Sequence, residues 1–141
     1  SVIATQRVPA EQVSSYGIVA TEEFSDRRGR ITGMVEKPRP EEAPSNLAVV
    51  GRYVLSPRIF ALLEATRPGA GGEIQLTDAI QALLAEEQVL AYHFHGTRFD
   101  CGTHIGLIEA TIRHALDHEK LSDAAQRFMR DALVELGVVD S

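Results

Sequence analysis

Three prolines fall within seven residues, at Pro38, Pro40 and Pro44, and no other feature restricts the fold of this chain so tightly. Each proline removes a backbone donor, so the segment is neither a helix nor a central strand and is expected to be an extended loop. On its N-terminal side, Val2 to Val8 is β-branched at its start and stops at Pro9, which predicts a strand followed by a brief turn or helix around 10–13. Tyr16 to Phe24 reads as a second strand and Ile31 to Glu36 as its returning partner. The polar stretch Ser25-Asp26-Arg27-Arg28-Gly29-Arg30 supplies a turn with a glycine, so a hairpin is expected. Beyond the prolines, Asn46 to Leu55 is a mostly apolar run, consistent with a strand buried on both faces.

The second half of the chain is dominated by helical spacing. Ser56-Pro57 makes a helix start, with Ile59, Phe60, Leu62 and Leu63 as the buried stripe and Pro68-Gly69 as the stop. After the connector Gly69-Ala70-Gly71-Gly72, a helix is expected over 73–87 with Leu76, Ile80, Leu83 and Leu84 inward. Val89 to Phe99 reads as a returning strand. Two further amphipathic helices follow, over 103–117 (Ile105, Ile108, Ile112, Leu116) and 122–136 (Ala125, Phe128, Met129, Ala132 and Leu136 inward). Strands alternating with helices define an α/β class.

Composition narrows the function. With 44% apolar and 24% charged residues, 141 residues suffice for a globular core. The net charge of −6 leaves no basic surface for a run of phosphates, which argues against nucleic-acid binding. One cysteine, Cys101, cannot form an internal disulfide, and no apolar run is long enough for a membrane-spanning helix, so a soluble cytoplasmic protein with no membrane association is expected. Ser1-Val2-Ile3-Ala4-Thr5 lacks the basic and apolar regions of a signal peptide and enters a strand at once, as a chain beginning inside a larger fold would.

Val35-Glu36-Lys37-Pro38 is the strongest candidate for chemistry, an acid and a base at a strand end, where α/β sheets bind ligands. A carboxylate accepts hydrogen bonds from sugar hydroxyls, and a neighbouring lysine neutralises a phosphate as a compact point charge. The plain alternative is an exposed ion pair closing the strand. Gly17 opens the strand opposite and admits either a close backbone approach by a ligand or a tight bend. Phe99-Asp100-Cys101-Gly102 stands between a strand and a helix, where Asp100 is either a ligand for a divalent cation or a helix cap. Cys101 has no histidine arrangement of a thiol enzyme. The pairs His93/His95 and His114/His118 each lack a third metal ligand, and the glycines at 69–72 have neither the preceding strand nor the lysine of a phosphate loop.

In order and spacing, four blocks are similar to one family: Tyr16-Gly17-Ile18-Val19, the run from Met34 to Leu55, the run from Gly69 to Ile80 that contains Glu73-Ile74-Gln75-Leu76-Thr77-Asp78, and Phe99-Asp100-Cys101-Gly102. From Ser1 to about Leu121 the chain resembles the bacterial UTP–glucose-1-phosphate uridylyltransferases, also called UDP-glucose pyrophosphorylases, and it resembles their C-terminal portion only. The resemblance implies part of the mixed, Rossmann-like α/β sheet of nucleotide-diphospho-sugar transferases, with residues 1–121 as the sugar-binding half and 122–141 as a helix for packing or oligomer contacts. It implies that Glu36 binds the sugar hydroxyls, Lys37 the sugar phosphate, Gly17 the hexose through its backbone, and that Val49 and Gly51 wall the pocket. Asp100 corresponds to an aspartate that holds magnesium (Mg2+) against the phosphates. The implied partners are glucose 1-phosphate, UTP and UDP-glucose, a missing N-terminal half that carries the nucleotide loop, and further copies of the protein in a homo-oligomer. Thr103-His104 stands where relatives often carry a charged pair, so His104 is given no role. Two alternatives stay open: a pyrophosphorylase that makes another nucleoside diphosphate glucose, and a non-catalytic sugar-phosphate binding domain.

Overall fold

A computed structural model describes residues 1–69 and 72–139. The chain divides into two compact units, Ser1–His95 and Gly96–Ser141. The first unit contains strands β1 (Val2–Arg7), β2 (Gly17–Ser25), β3 (Arg28–Glu36), β4 (Leu47–Val54) and β5 (Leu90–His93), with helices α1 (Arg58–Ala65) and α2 (Leu76–Leu83) between β4 and β5. Short 3-10 turns occupy Ala10–Ser15 and Pro40–Glu42, the second inside the proline loop. The strand order is β1-β4-β2-β3-β5, and β5 returns to lie parallel to β1, so the ladder closes on itself. Every other pairing is antiparallel, which makes the sheet mixed, as the family resemblance implies.

The expected hairpin forms, but its turn differs. Asp26 and Arg27 alone make the loop, at φ 45° and 67°, and Ser25 pairs with Arg28. This left-handed pair matches the right-handed twist of the strands, as two-residue hairpins require. Gly29 therefore lies in β3, where a Cβ would come within 2.7 Å of the Phe24 ring. The residue is needed for packing across the hairpin and not for the turn. The β4 run also departs from the fully buried strand expected of it. Leu47, Ala48 and Val49 are buried, whereas Gly51 to Val54 are exposed beyond a bulge at which the β1–β4 register slips between Ile3 and Thr5.

The main core gathers Ile3, Val19, Ile31, Ile80, Leu83 and Val89 between the sheet and α2. Burying each such side chain contributes roughly 1.5–3 kcal/mol. Ile59 anchors α1, but Phe60 is 68% exposed, so the expected stripe on that helix is narrower by one residue. Helix α2 is shorter than the 73–87 expected, and Ala70 and Gly71 of the connector before it lie outside the described residues. The strand expected over Val89–Phe99 ends at His93, and Gly96 beyond it takes φ 105°.

The second unit pairs α3 (His104–Asp117) with α4 (Ser122–Glu135). Thr103 caps α3 by accepting a 3.1 Å hydrogen bond from the Gly106 amide. The buried positions of α3 are Gly106 and Ala110, not the isoleucine stripe. Ile105, Phe128 and Leu136 are 72%, 74% and 76% exposed, contrary to the inward placement their spacing predicts. Two short helices enclose too little volume to cover two apolar stripes. No helix of the described residues is long and apolar enough to cross a membrane.

Candidate functional site

The β2–β3 register sets Gly17 opposite Glu36. Glu36 ends its strand with its carboxylate against α2, where the Thr77 hydroxyl donates to Oε2 at 2.6 Å. A Cβ on residue 17 would stand 3.0 Å from that same oxygen and 3.2 Å from the Met34 methyl. The space above Gly17 is thus filled by the chain's own carboxylate, which identifies what the absence of a side chain there accommodates.

Lys37 follows with φ 45°, left-handed for a residue that is not glycine, and its amide donates to the Tyr16 carbonyl at 3.0 Å. That conformation costs about 1–2 kcal/mol relative to the ordinary helical region. It breaks the alternation of the strand, and backbone strain of this kind collects at functional positions. No ion pair to Lys37 occurs among the described residues, so the exposed Glu36–Lys37 pair offered as the plain reading does not form. The carboxylate is engaged by a hydroxyl, and the ammonium stays available for an anion.

Val49 is 7% exposed and packs in the main core with Ile31 and Met34, so its contribution to a pocket would be made from beneath. Gly51 sits at the β4 bulge with φ 74°, and nothing lies within 4 Å of where its Cβ would be. Tyr53, two residues on, has its phenol pushed up, first by burial and then by the Glu36 charge. Its ring borders a hollow of about 290 Å³ shared with Val2, Arg52 and Tyr92. Thr77 and Tyr53 are the two groups around Glu36 that sequence reasoning passed over. Thr77 had one visible signal, a polar residue three before Ile80 on the apolar stripe of α2.

Asp100 belongs to the second unit and ends neither a strand nor a helix. Its Oδ1 accepts from the Gly102 amide at 3.2 Å, its backbone carbonyl accepts from the Thr103 amide at 3.1 Å, and its Oδ2 lies 3.3 Å from the Arg98 guanidinium. The cap of α3 is Thr103, so the helix-cap reading of Asp100 gives way to a turn that precedes the cap. A Cβ on Gly106 would come within 2.1 Å of the Asp100 carbonyl oxygen, so the helix seats this turn directly on its backbone. With half of its side chain exposed, Asp100 offers a hard oxygen to a divalent cation. Such a cation takes six or more ligands, and no group of three candidate ligands occurs among the described residues. The residue fits a metal as one ligand, with the rest supplied by phosphates, water or groups beyond this chain. Cys101 is exposed and free, His95 contacts Arg27, and His118 accepts from the Lys120 amide, none of them in a metal-binding cluster.

A mixed sheet with a carboxylate and a lysine at one strand end is an arrangement suited to a phosphorylated sugar, and residues 2–115 match the nucleotidyl transferase family. The chain belongs to that family. Among its relatives, a UTP–glucose-1-phosphate uridylyltransferase of Pseudomonas aeruginosa is 56% identical over 111 residues, 79% of this chain and 40% of that protein. The corresponding enzyme of Streptococcus pneumoniae is 44% identical over 97% of this chain and 45% of its own length. A UDP-glucose pyrophosphorylase complexed with UDP-glucose superposes with a TM-score of 0.77 at 44% identity, over 83% of this chain and 44% of that one. A UTP-bound enzyme of the same kind from Acinetobacter baumannii gives 0.80 at 41% identity, over 91% of this chain and 44% of that one. The chain therefore spans somewhat less than half the length of the relatives it matches.

Proposed function

We propose that this chain supplies the sugar-phosphate side of a UTP–glucose-1-phosphate uridylyltransferase, the intact enzyme being this chain joined to the remaining length its relatives possess. The observation that carries the reading is the split of Glu36 from Lys37: the carboxylate is held by Thr77 while the ammonium has no partner among the described residues. Lys37 holds the phosphate of glucose 1-phosphate. Glu36 accepts hydrogen bonds from hexose hydroxyls, with Gly17, Val49 and Gly51 shaping the space around them. A buried polar contact of this kind rejects sugars that lack the hydroxyl, because its partner is then left unpaired.

The reaction joins a phosphate oxygen of glucose 1-phosphate to the α-phosphorus of UTP while the bond from that phosphorus to the β-phosphate oxygen breaks. UDP-glucose forms and pyrophosphate leaves. Positioning and charge neutralisation carry such a transfer, and no covalent enzyme intermediate is needed. Lys37 orients the attacking oxygen and offsets the repulsion between two anionic phosphates. Asp100 would hold magnesium as one of its ligands, and the ion bound there would supply charge neutralisation to phosphate oxygens. Self-association is part of the same reading, supported by the exposed apolar side chains Ile105, Phe128 and Leu136.

The test is pyrophosphate release by the intact enzyme from glucose 1-phosphate and magnesium with each nucleoside triphosphate in turn. Release with UTP supports the reading. Release with another nucleotide alone reassigns the base, and release with none returns the chain to a sugar-phosphate binding module.

A further inference from the structure

Helix α2 is fastened to β3 at two polar points. The Thr77 hydroxyl donates to Glu36 Oε2 at 2.6 Å, and one turn later Gln81 Oε1 accepts from the Met34 amide at 2.8 Å. Residues 77 and 81 share one face of a helix, and residues 34 and 36 share one face of a strand, so the two ties are in step. Strand β5 pairs with β3 only along Arg28–Arg30, which leaves the Met34 amide to a side chain.

The geometry points to Thr77 as a positioning residue that sets the Glu36 carboxylate for its sugar, an inference that rests on the reading of Glu36 as the hexose ligand. Its place in the helix explains why its hydroxyl is free to do so. Thr66 and Thr111 donate to the carbonyls four residues before them, Leu62 and Leu107, as threonines in or just after a helix commonly do. Thr77 stands in the first turn of α2, where residue 73 precedes the helix, and it donates to Glu36 instead.

Three constraints then act on one carboxylate. Thr77, only 7% exposed, occupies Oε2, the backbone of Gly17 closes in beneath that oxygen, and the Gln81 tie holds the helix at a fixed height over the strand. Among the described residues Oε1 accepts no hydrogen bond, so it is the oxygen presented to a ligand. A side chain locked before binding loses less freedom on binding, which favours affinity without adding a contact.

Steady-state kinetics of the intact enzyme test this with Thr77→Val, Thr77→Ser, Glu36→Gln and the Glu36→Gln/Thr77→Val double variant. Thr77→Val is expected to raise KM for glucose 1-phosphate about tenfold, the scale of a lost hydrogen bond to a charged group, with KM for UTP unmoved. Thr77→Ser restores the parent value. In the Glu36→Gln background Thr77→Val adds nothing further, because Thr77 acts only through that carboxylate. Should the valine variant fail to fold, Thr77→Ala removes the same hydroxyl. If Glu36→Gln leaves KM for glucose 1-phosphate unchanged, the sugar-ligand reading of Glu36 falls and this inference with it. If Glu36→Gln raises that KM but Thr77→Val does not, or adds its full effect in the double variant, Thr77 is a packing residue and the inference alone is overturned.

Discussion

Gly17 and Glu36 face each other across the β2–β3 ladder, and the Glu36 carboxylate folds back until Oε2 lies 3.0 Å from where a Cβ on residue 17 would be. The glycine is required by this approach and not by its own backbone angles, since only Gly51, Gly72, Gly96 and Gly137 take positive φ among the described glycines. Gly17→Ala should therefore leave the fold in place and displace the carboxylate by a few tenths of an ångström. Alanine reduces the entropy of the unfolded chain by about 0.4–1 kcal/mol, which offsets part of the crowding. A melting temperature close to the parent's is expected, together with a roughly five- to tenfold weaker KM for glucose 1-phosphate. Unchanged kinetics would mean that the carboxylate has room to spare.

Lys37 offers a sharper separation of stability from function. Replacing it with glycine relieves a left-handed conformation worth about 1–2 kcal/mol. Glycine returns about 0.5–1 kcal/mol of that as unfolded-state entropy, so Lys37→Gly should be as stable as the parent or slightly more. If Lys37 holds the phosphate as proposed, the same change would remove a charge-assisted contact worth about 2–3 kcal/mol, or about 30- to 150-fold in kcat/KM for glucose 1-phosphate. Urea melts and kinetics on one variant check both halves. A variant that loses stability and keeps kcat/KM would remove Lys37 from the site.

The elements of the first unit were legible in the sequence because period and punctuation agreed: Pro9, the proline cluster and Ser56-Pro57 bound the strands and the first helix where the structure does. Extents were less legible. The Val89–Phe99 run stays aromatic past His93, but strand pairing with β1 ends there, and no local signal marks where a partner strand stops. Spacing also shows that α3 and α4 have apolar stripes without showing what covers them, so Phe128 and Leu136 stand at inward spacing and are nonetheless exposed. At the site, Glu36 and Lys37 stood out as charges beside a rigid loop. The Thr77–Glu36 bond joins residues 41 apart, a distance at which a single sequence carries no pairing information.

Acid should weaken the tie between α1 and the turn that follows α2. Arg58 makes a forked contact to Glu86 at 2.6 and 2.8 Å, and that hydrogen bonding holds the carboxyl below its ordinary value of 4.5. Because the folded value is depressed, the stability it contributes is complete above pH 4.5 and is lost as pH falls from there through the folded value. Both side chains are exposed, so the effect is small and salt-sensitive. Urea melts of the parent and Glu86→Gln should differ at pH 7 and draw together as the pH falls below 4.5. A constant difference across that range would assign the variant's effect to something other than this carboxylate.

Asp100→Asn separates the turn from the metal. The asparagine oxygen can still accept from the Gly102 amide, so the turn before α3 should persist, while the Arg98 ion pair and the charge offered to a cation are lost. Half-saturation by magnesium in the intact enzyme should rise on the order of tenfold or more, the scale by which even outer-shell changes weaken metal sites. A magnesium titration that superposes on the parent's would leave Asp100 with the turn alone.

Turnover should require more than this chain. In the proposed reading the assigned groups would serve a sugar, a phosphate or part of a cation site and none would hold a nucleotide base, and the relatives it matches are more than twice as long, this chain spanning 40–46% of them. Catalysis by positioning depends on holding both reactants at once, an effect worth roughly 7–11 kcal/mol, so groups that bind one reactant forfeit nearly all of the acceleration. Incubated alone with UTP, glucose 1-phosphate and magnesium, the chain should release pyrophosphate at no more than the background rate. Added to a separately expressed segment that covers the remaining length of its relatives, it should recover measurable release, and Lys37→Ala should abolish most of the recovery. Turnover by the chain alone at a rate comparable to an intact uridylyltransferase would show that a nucleotide site is already present within these 141 residues.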